Sequence, residues 1–205
     1  MISLDDAQRR LLALAKPVST ETLPLSKAVG RWAAEDVIAK RTQPARNLSA
    51  MDGYAIRHAD APGPWRVIGQ SAAGAAFGGS VSAGESVRIF TGAALPDGAD
   101  TVVMQEDMAV EGDVARLLED VNVQPGRHVR RAGEDFASGA RLIATGDRLT
   151  PARIALAAMG GHGGISVRRP IRVALISTGD ELIPPGQPTS DEQIPASNGV
   201  MLAAM

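Results

Sequence analysis

The chain has 205 residues, is 44% hydrophobic, and balances 21 basic against 23 acidic side chains for a formal net charge of −2. That balance excludes the usual nucleic-acid binder, since phosphate-backbone binding needs clustered Lys and Arg. Cysteine is absent, which removes disulfides, thiolate nucleophiles and Cys-ligated zinc together. In chain order, Ser3 is placed to cap a first helix, with Asp5 and Asp6 in its positive first turn. Leu4, Ala7, Leu11, Leu14 and Ala15 then recur at helical spacing until Lys16-Pro17. This acidic start is unlike a secretory leader, so a cytoplasmic protein is expected. No run approaches the roughly 18 apolar residues of a membrane span.

A short helix is predicted around Leu25–Val29, closed by Gly30, and an extended segment over Trp32–Ala39. From Asn47 to about Arg130, β-like pieces alternate with Gly, Asp and Pro turns: Trp65–Ile68, Ser86–Phe90, Thr101–Met104 and Ala115–Leu118. The Gly-, Ala- and Ser-rich stretch Gly69–Gly84 reads as a flexible loop. Thr150-Pro151 opens a helix that Gly160 can close. Ile171–Ser177 has the apolar texture of a strand buried on both faces of a parallel sheet, and an exposed apolar edge is expected at Val173–Ile176. Thr178-Gly179-Asp180-Glu181 would then sit at that strand's C-terminal end, where open α/β sheets place ligands. Ser197-Asn198 is placed to cap a helix through Val200–Met205, so the last segment reads as an α/β domain cut short.

Four clusters could carry chemistry. In Ser49–Ala55, Asp52-Gly53 is a turn signal and Tyr54 is the one tyrosine of the chain. Thr91-Gly92 offers neutral donors to an anion, with Gly98–Asp100 and Val102–Glu106 following. Arg130–Asp135 sets a basic pair before an acidic one, and Thr178–Leu182 is the fourth. His58, His128 and His162 lie far apart and share no metal-ligand spacing. Each cluster has a plain structural reading as a turn, a solvated charge run or a half-buried anchor. Alone, they support no more than a metal-dependent phosphotransfer enzyme.

In this order and spacing the clusters resemble the molybdopterin molybdenumtransferase family (MoeA and the gephyrin E domain). The matching segments are Ser49–Ala55, Thr91–Ala93, Gly98–Glu106, Arg130–Asp135 and Ser177–Leu182, with Leu25–Ala39 also fitting. The resemblance implies an α+β and α/β multidomain fold. An elongated N-terminal domain (1–46 plus 136–168) would carry an inserted β-rich module (47–135), followed by the start of a truncated α/β substrate-binding domain (169–205). It also implies a homodimer with the active site shared between subunits. A molybdopterin adenylylation enzyme and molybdoenzymes are the expected partners. The implied reaction inserts molybdenum from molybdate into adenylylated molybdopterin, releasing AMP, with Mg2+ as metal.

By motif match, Asp52, Thr91, Asp135 and Glu181 are the expected catalytic residues, with Asp52, Asp135 and Glu181 handling the metal. Ser177, Thr178, Gly179, Asp180, Ser197 and Asn198 are expected to contact substrate. A divalent ion suits this assignment, because bare carboxylates would repel anionic substrates. The match departs at Pro195-Ala196, where the family has an aromatic and an acidic residue, and in length, which is about half the family's. A non-catalytic dimerisation or partner-binding module is the alternative reading.

Overall fold

Ser3 caps the first helix: its side-chain oxygen accepts the Asp6 backbone N–H at 3.2 Å. The helix, α1 (Leu4–Leu14), is steadied by ion pairs from Asp6 to Arg9 and Arg10. None of its residues is buried, and Leu4, Leu11, Leu12 and Leu14 are exposed. The computed structural model describes residues 2–205 and divides into two compact units. One is residues 20–168; the other joins the segment up to Ser19 with Arg169–Met205.

The strands before the β-rich region are β1 (Thr20–Pro24), β2 (Val37–Ile38) and β3 (Leu48–Ser49). Then come β4 (Gly53–Ile56), β5 (Trp65–Ser71), β6 (Glu85–Ile89), β7 (Thr101–Met104), β8 (Met108–Glu111) and β9 (Val114–Leu117). Next are β10 (Val129–Arg130), β11 (Arg141–Ile143), the helix α2 (Pro151–Met159) and β12 (Gly164–Arg168). The remaining elements are β13 (Leu182–Ile183), β14 (Ile194–Pro195) and α3 (Ser197–Ala204). The fold is α+β.

Strands β4 to β9 form one mixed sheet in the order β7-β4-β6-β5-β9-β8, antiparallel except for the β5–β6 pair. Alternation along β4 feeds two cores, since successive side chains leave opposite faces of a sheet. Ala55 packs with Ile89, Ala93 and Val102, whereas its neighbour Ile56 packs with Trp65, Val103, Met108 and Ala115. A third core gathers Ala28, Ala33 and Val37 with Ile143, Leu149, Ala157, Ile165 and Val167. Its residues therefore come from both sides of the six-stranded sheet in sequence. Strand pairs β1–β12 and β2–β11 join those two halves. Thr150 caps α2 by accepting the Arg153 N–H, and Gly160 ends it.

Three local expectations change. Gly69 lies inside β5, and the following loop is anchored. The Phe77 ring covers the Gly69 backbone so closely that a Cβ there would lie 2.6 Å from it, and the Phe77 N–H donates to Ser71 Oγ. Ile171–Ser177 forms no strand among the described residues. A buried parallel strand needs neighbours on both edges, and the only parallel pair of residues 169–205 is the two-residue β13–β14 ladder. Thr178–Glu181 therefore follows no strand, and Ile171, Val173 and Ile176 are exposed. Finally, Ser197 and Asn198 are the first residues of α3 and do not cap it; Ala196 holds the cap position without a side-chain hydrogen bond. No described helix is long and apolar enough to cross a membrane.

Candidate functional site

The link between β3 and β4 is a tight turn built by its own residues. The buried Ser49 donates its hydroxyl to the Met51 carbonyl at 2.5 Å and accepts the Met51 N–H at 3.3 Å. Gly53 then lies so close to β7 that a Cβ would stand 1.9 Å from the Val103 carbonyl oxygen. Only glycine fits there, so Asp52 stands where the chain dives between packed strands. Ser49 also exchanges backbone bonds with the Thr91–Ala93 turn: Gly92 N–H reaches Ser49 O at 2.8 Å, and Ser49 N–H reaches Ala93 O at 2.9 Å. The turn needs Gly92 at φ +79°, a conformation L side chains rarely adopt.

These constraints carry Thr91 to Asp52. Its N–H and its hydroxyl both donate to Asp52 Oδ1, each at 2.7 Å. The other oxygen, Oδ2, accepts no hydrogen bond among the described residues. Asp52 O also accepts the Gln105 N–H at 3.0 Å, which brings the third motif alongside. The amide bond from Thr91 first, its hydroxyl second and the Arg88 charge besides hold the Asp52 carboxyl below the usual aspartate range. Asp52 is half-buried, and Thr91, Gln105 and Glu106 are exposed, so a ligand can reach the group.

The Arg130–Asp135 segment runs beside the same turn. Strand β10 pairs with β3, Ala50 N–H donates to His128 O at 2.8 Å, and Ala132 N–H donates to Asn47 Oδ1 at 3.0 Å. Asp135 is engaged locally: Arg130 Nη2 donates to its Oδ1 at 2.7 Å. Glu134 takes the Arg131 N–H at 2.9 Å.

In the second unit, Ser177, Thr178, Ser197 and Asn198 line one cavity of about 440 Å³, together with Leu175, Leu182 and Leu202. Glu181 folds back over Gly179, where a Cβ would lie 2.5 Å from its carboxylate. Asp180 is exposed in the same turn. Thus the structure joins Asp52 with Thr91 and sets the Asp135 segment against their turn. It separately gathers the four hydroxyl and amide residues of 177–198. Among the described residues no three His, Asp or Glu side chains converge as a metal cage.

Sequence reasoning missed Arg88. It stands on β6 opposite Tyr54 of β4. Its guanidinium carbon lies 5.1 Å from the Tyr54 ring centroid and 5.0 Å from that of Phe90. Its Nη1 donates to Gly53 O at 3.0 Å, and its Nη2 to the Gln105 side-chain oxygen. The alternation Arg88-Ile89-Phe90 signals a shared face, but the partner strand and its register are not written in it.

The family model described as "MoeA N-terminal region (domain I and II)" matches residues 2–161. The molybdopterin molybdenumtransferase of Haemophilus influenzae is 37% identical over 201 residues, covering 97% of this chain and 50% of that protein. Molybdopterin molybdenumtransferase 2 of Mycobacterium tuberculosis is 37% identical over 211 residues, covering 100% and 52%. The crystal structure of the molybdopterin biosynthesis MoeA protein from Pyrococcus horikoshii OT3 matches with a TM-score of 0.88 at 31% identity, covering 100% of this chain and 56% of that one. The chain spans about half the length of the curated relatives it matches. With these matches and the motif residues gathered around Asp52, the chain belongs to the MoeA family, of which it carries the N-terminal region.

Proposed function

We propose that the chain supplies the N-terminal part of a molybdopterin molybdenumtransferase, which inserts molybdenum from molybdate into adenylylated molybdopterin and releases AMP. The observation that carries this reading is the half-occupied carboxylate of Asp52. Thr91 fixes one oxygen with two donors and leaves the other to a ligand. A carboxylate so held is pre-aimed, and positioning of that kind is worth several kcal/mol of a barrier, roughly 7–11 in the best cases.

Magnesium fits this donor set as a guest of substrate. Mg2+ commonly binds through one or two carboxylates plus phosphate oxygens and keeps several waters. Asp52 presents one such oxygen; Asp135 and Glu181 are the other proposed ligands. When bound, the ion would neutralise the phosphoanhydride and polarise it for cleavage. Thr91 positions Asp52. Ser177, Thr178, Gly179, Asp180, Ser197 and Asn198 form the proposed substrate contacts; that Ser177, Thr178, Ser197 and Asn198 line one cavity supports this reading. Hydroxyls, an amide and backbone N–H groups are suitable partners for an anionic, hydrogen-bonding pterin phosphate. Residues 1–46 with 136–168, residues 47–135 and residues 169–205 are the proposed domains. The proposed compartment is the cytoplasm, and the proposed partners are the adenylylation enzyme upstream and molybdoenzymes downstream.

A second reading has its own observation. Helix α1 buries none of its residues, and Leu4, Leu11, Leu12 and Leu14 are 68–79% exposed. An apolar stripe of that kind is expected to associate, so the chain alone would act as a homodimerisation or partner-binding module. The two readings part in one assay. Adenylylated molybdopterin, molybdate and magnesium are given to the 205-residue chain and to an enzyme of its relatives' full length. AMP release from the long form supports the transferase. Release from neither, with a dimer of the short form by light scattering, supports the module.

A further inference from the structure

We propose that Arg88 is a positioning residue for Asp52, clamping the chain on both sides of the Asp52–Thr91 pair. The proposal rests on the reading of Asp52 as the working carboxylate, and it adds a residue that the motifs do not contain. Arg88 has four contacts, and they surround Asp52. One guanidinium nitrogen holds the carbonyl of Gly53, the next residue in the chain. Another holds the side chain of Gln105, whose own backbone N–H donates to Asp52 O. The planar group lies over Tyr54, two residues beyond Asp52, and over Phe90, the residue before Thr91.

Arg88 therefore reaches the segment that bears the acceptor, the segment that bears the double donor, and the strand end that bonds the Asp52 backbone. Gln105 Nε2 extends the chain of bonds to Glu106 Oε1 at 3.1 Å. A guanidinium suits this task because its fork is planar and serves two acceptors at fixed angles while stacking on rings. A lysine carries the charge as a point and cannot span Gly53 and Gln105 together.

The test is site-resolved amide hydrogen exchange on the 205-residue chain, with Arg88→Met, Arg88→Lys and Gln105→Ala. The reporter is the Thr91 amide, which donates to Asp52 Oδ1. The reference is the Val87 amide in the sheet interior. In Arg88→Met the Thr91 amide is expected to exchange about tenfold faster, the scale of one lost hydrogen bond, with Val87 unchanged. Arg88→Lys is expected not to restore protection. Gln105→Ala cuts a single arm and is expected to move Thr91 in the same direction; it also serves if Arg88→Met does not fold. Native protection of Thr91 in Arg88→Met, or in Gln105→Ala where only that variant folds, would overturn the proposal. So would full rescue by lysine, or equal acceleration at Thr91 and Val87. The exchange needs no molybdenum substrate. A failure of AMP release with these exchange results intact would fall on the proposed function alone.

Discussion

Thr91 holds a single oxygen of Asp52 from two donors, and Thr145 holds Asp36 in the same way. The Thr145 N–H and hydroxyl reach Asp36 Oδ1 at 2.7 and 2.9 Å. The pairs differ at the second oxygen. Arg141 Nη1 sits on Asp36 Oδ2 at 3.4 Å, whereas no described residue bonds to Asp52 Oδ2. One clamp is closed by protein; the other is open to a ligand. The first is a loop staple and the second is the proposed site.

The contrast gives matched variants. Thr91→Val keeps the shape and removes the hydroxyl. In the full-length enzyme it is expected to lower AMP release by on the order of a hundredfold, the cost of a misplacement of about 1 Å, with little change in thermal midpoint. Thr145→Val is expected to do the reverse, lowering the midpoint and leaving turnover at native level. Steady-state AMP release and a melting curve on the two proteins decide it.

Acid should find both aspartates. The Thr145 amide and hydroxyl bonds and the Arg141 side chain hold Asp36 below the usual range, as the Thr91 bonds and Arg88 hold Asp52. A carboxyl with a lowered folded value binds fewer protons folded than unfolded. Its stabilisation is complete above the unfolded aspartate value, about 3.9, and is lost as pH falls through the lowered folded values. Urea midpoints are expected to drop below about pH 4, and Asp36→Asn is expected to flatten part of that drop. A native slope in Asp36→Asn would remove the group from the list.

His128 works in a higher window. Burial first, and the Arg127 charge second, push its imidazole below the usual histidine value against the opposing pull of Asp107. Its Nε2 is buried and has no hydrogen-bond partner, and its backbone stands at φ +59°. The folded protein favours the neutral ring, so this stabilisation is complete above about pH 6.5. It is lost as pH falls from there to the lowered folded value. Asn tolerates positive φ, so His128→Asn should fold and show no such slope. Ring-proton NMR is expected to show His128 titrating below the usual histidine value.

Much of this was legible in the sequence where the signal is local. Ser3 and Thr150 cap the helices they precede, because a cap is a contact across three residues. The β-like pieces Trp65–Ile68, Ser86–Phe90, Thr101–Met104 and Ala115–Leu118 fall in or overlap β5, β6, β7 and β9. What was not legible depends on partners distant in the chain. Ile171–Ser177 has the composition of a buried strand, but composition does not supply the neighbouring strands, and the segment stays exposed. Ser197 and Asn198 are good capping residues, yet the first helical turn starts one residue earlier than the capping pattern needs. Arg88 meets Asp52's neighbours from 17 and 35 residues away, through a strand register no short motif encodes. The motif around Asp52 was visible; its partner Thr91, 39 residues on, was tied to it only by the fold.

Gly53 tests the packing that aims Asp52. A methyl there would meet the Val103 carbonyl at 1.9 Å, and both belong to paired backbones with no room to yield. Gly53→Ala is expected to cost at least the roughly 1–3 kcal/mol typical of overpacking, read as a lowered urea midpoint. A native midpoint would mean that β4 and β7 shift apart freely.

The most direct measurement compares AMP release by Asp52→Asn and Asp36→Asn in the full-length enzyme, each at a pH where it is folded. Asp52→Asn keeps the size of the side chain and takes the charge from the open oxygen; Asp36→Asn does the same to the closed clamp. The expected result is loss of release in the first, at saturating magnesium, and a native rate in the second. Full release by Asp52→Asn would contradict the assignment of Asp52 as the carboxylate that meets the substrate.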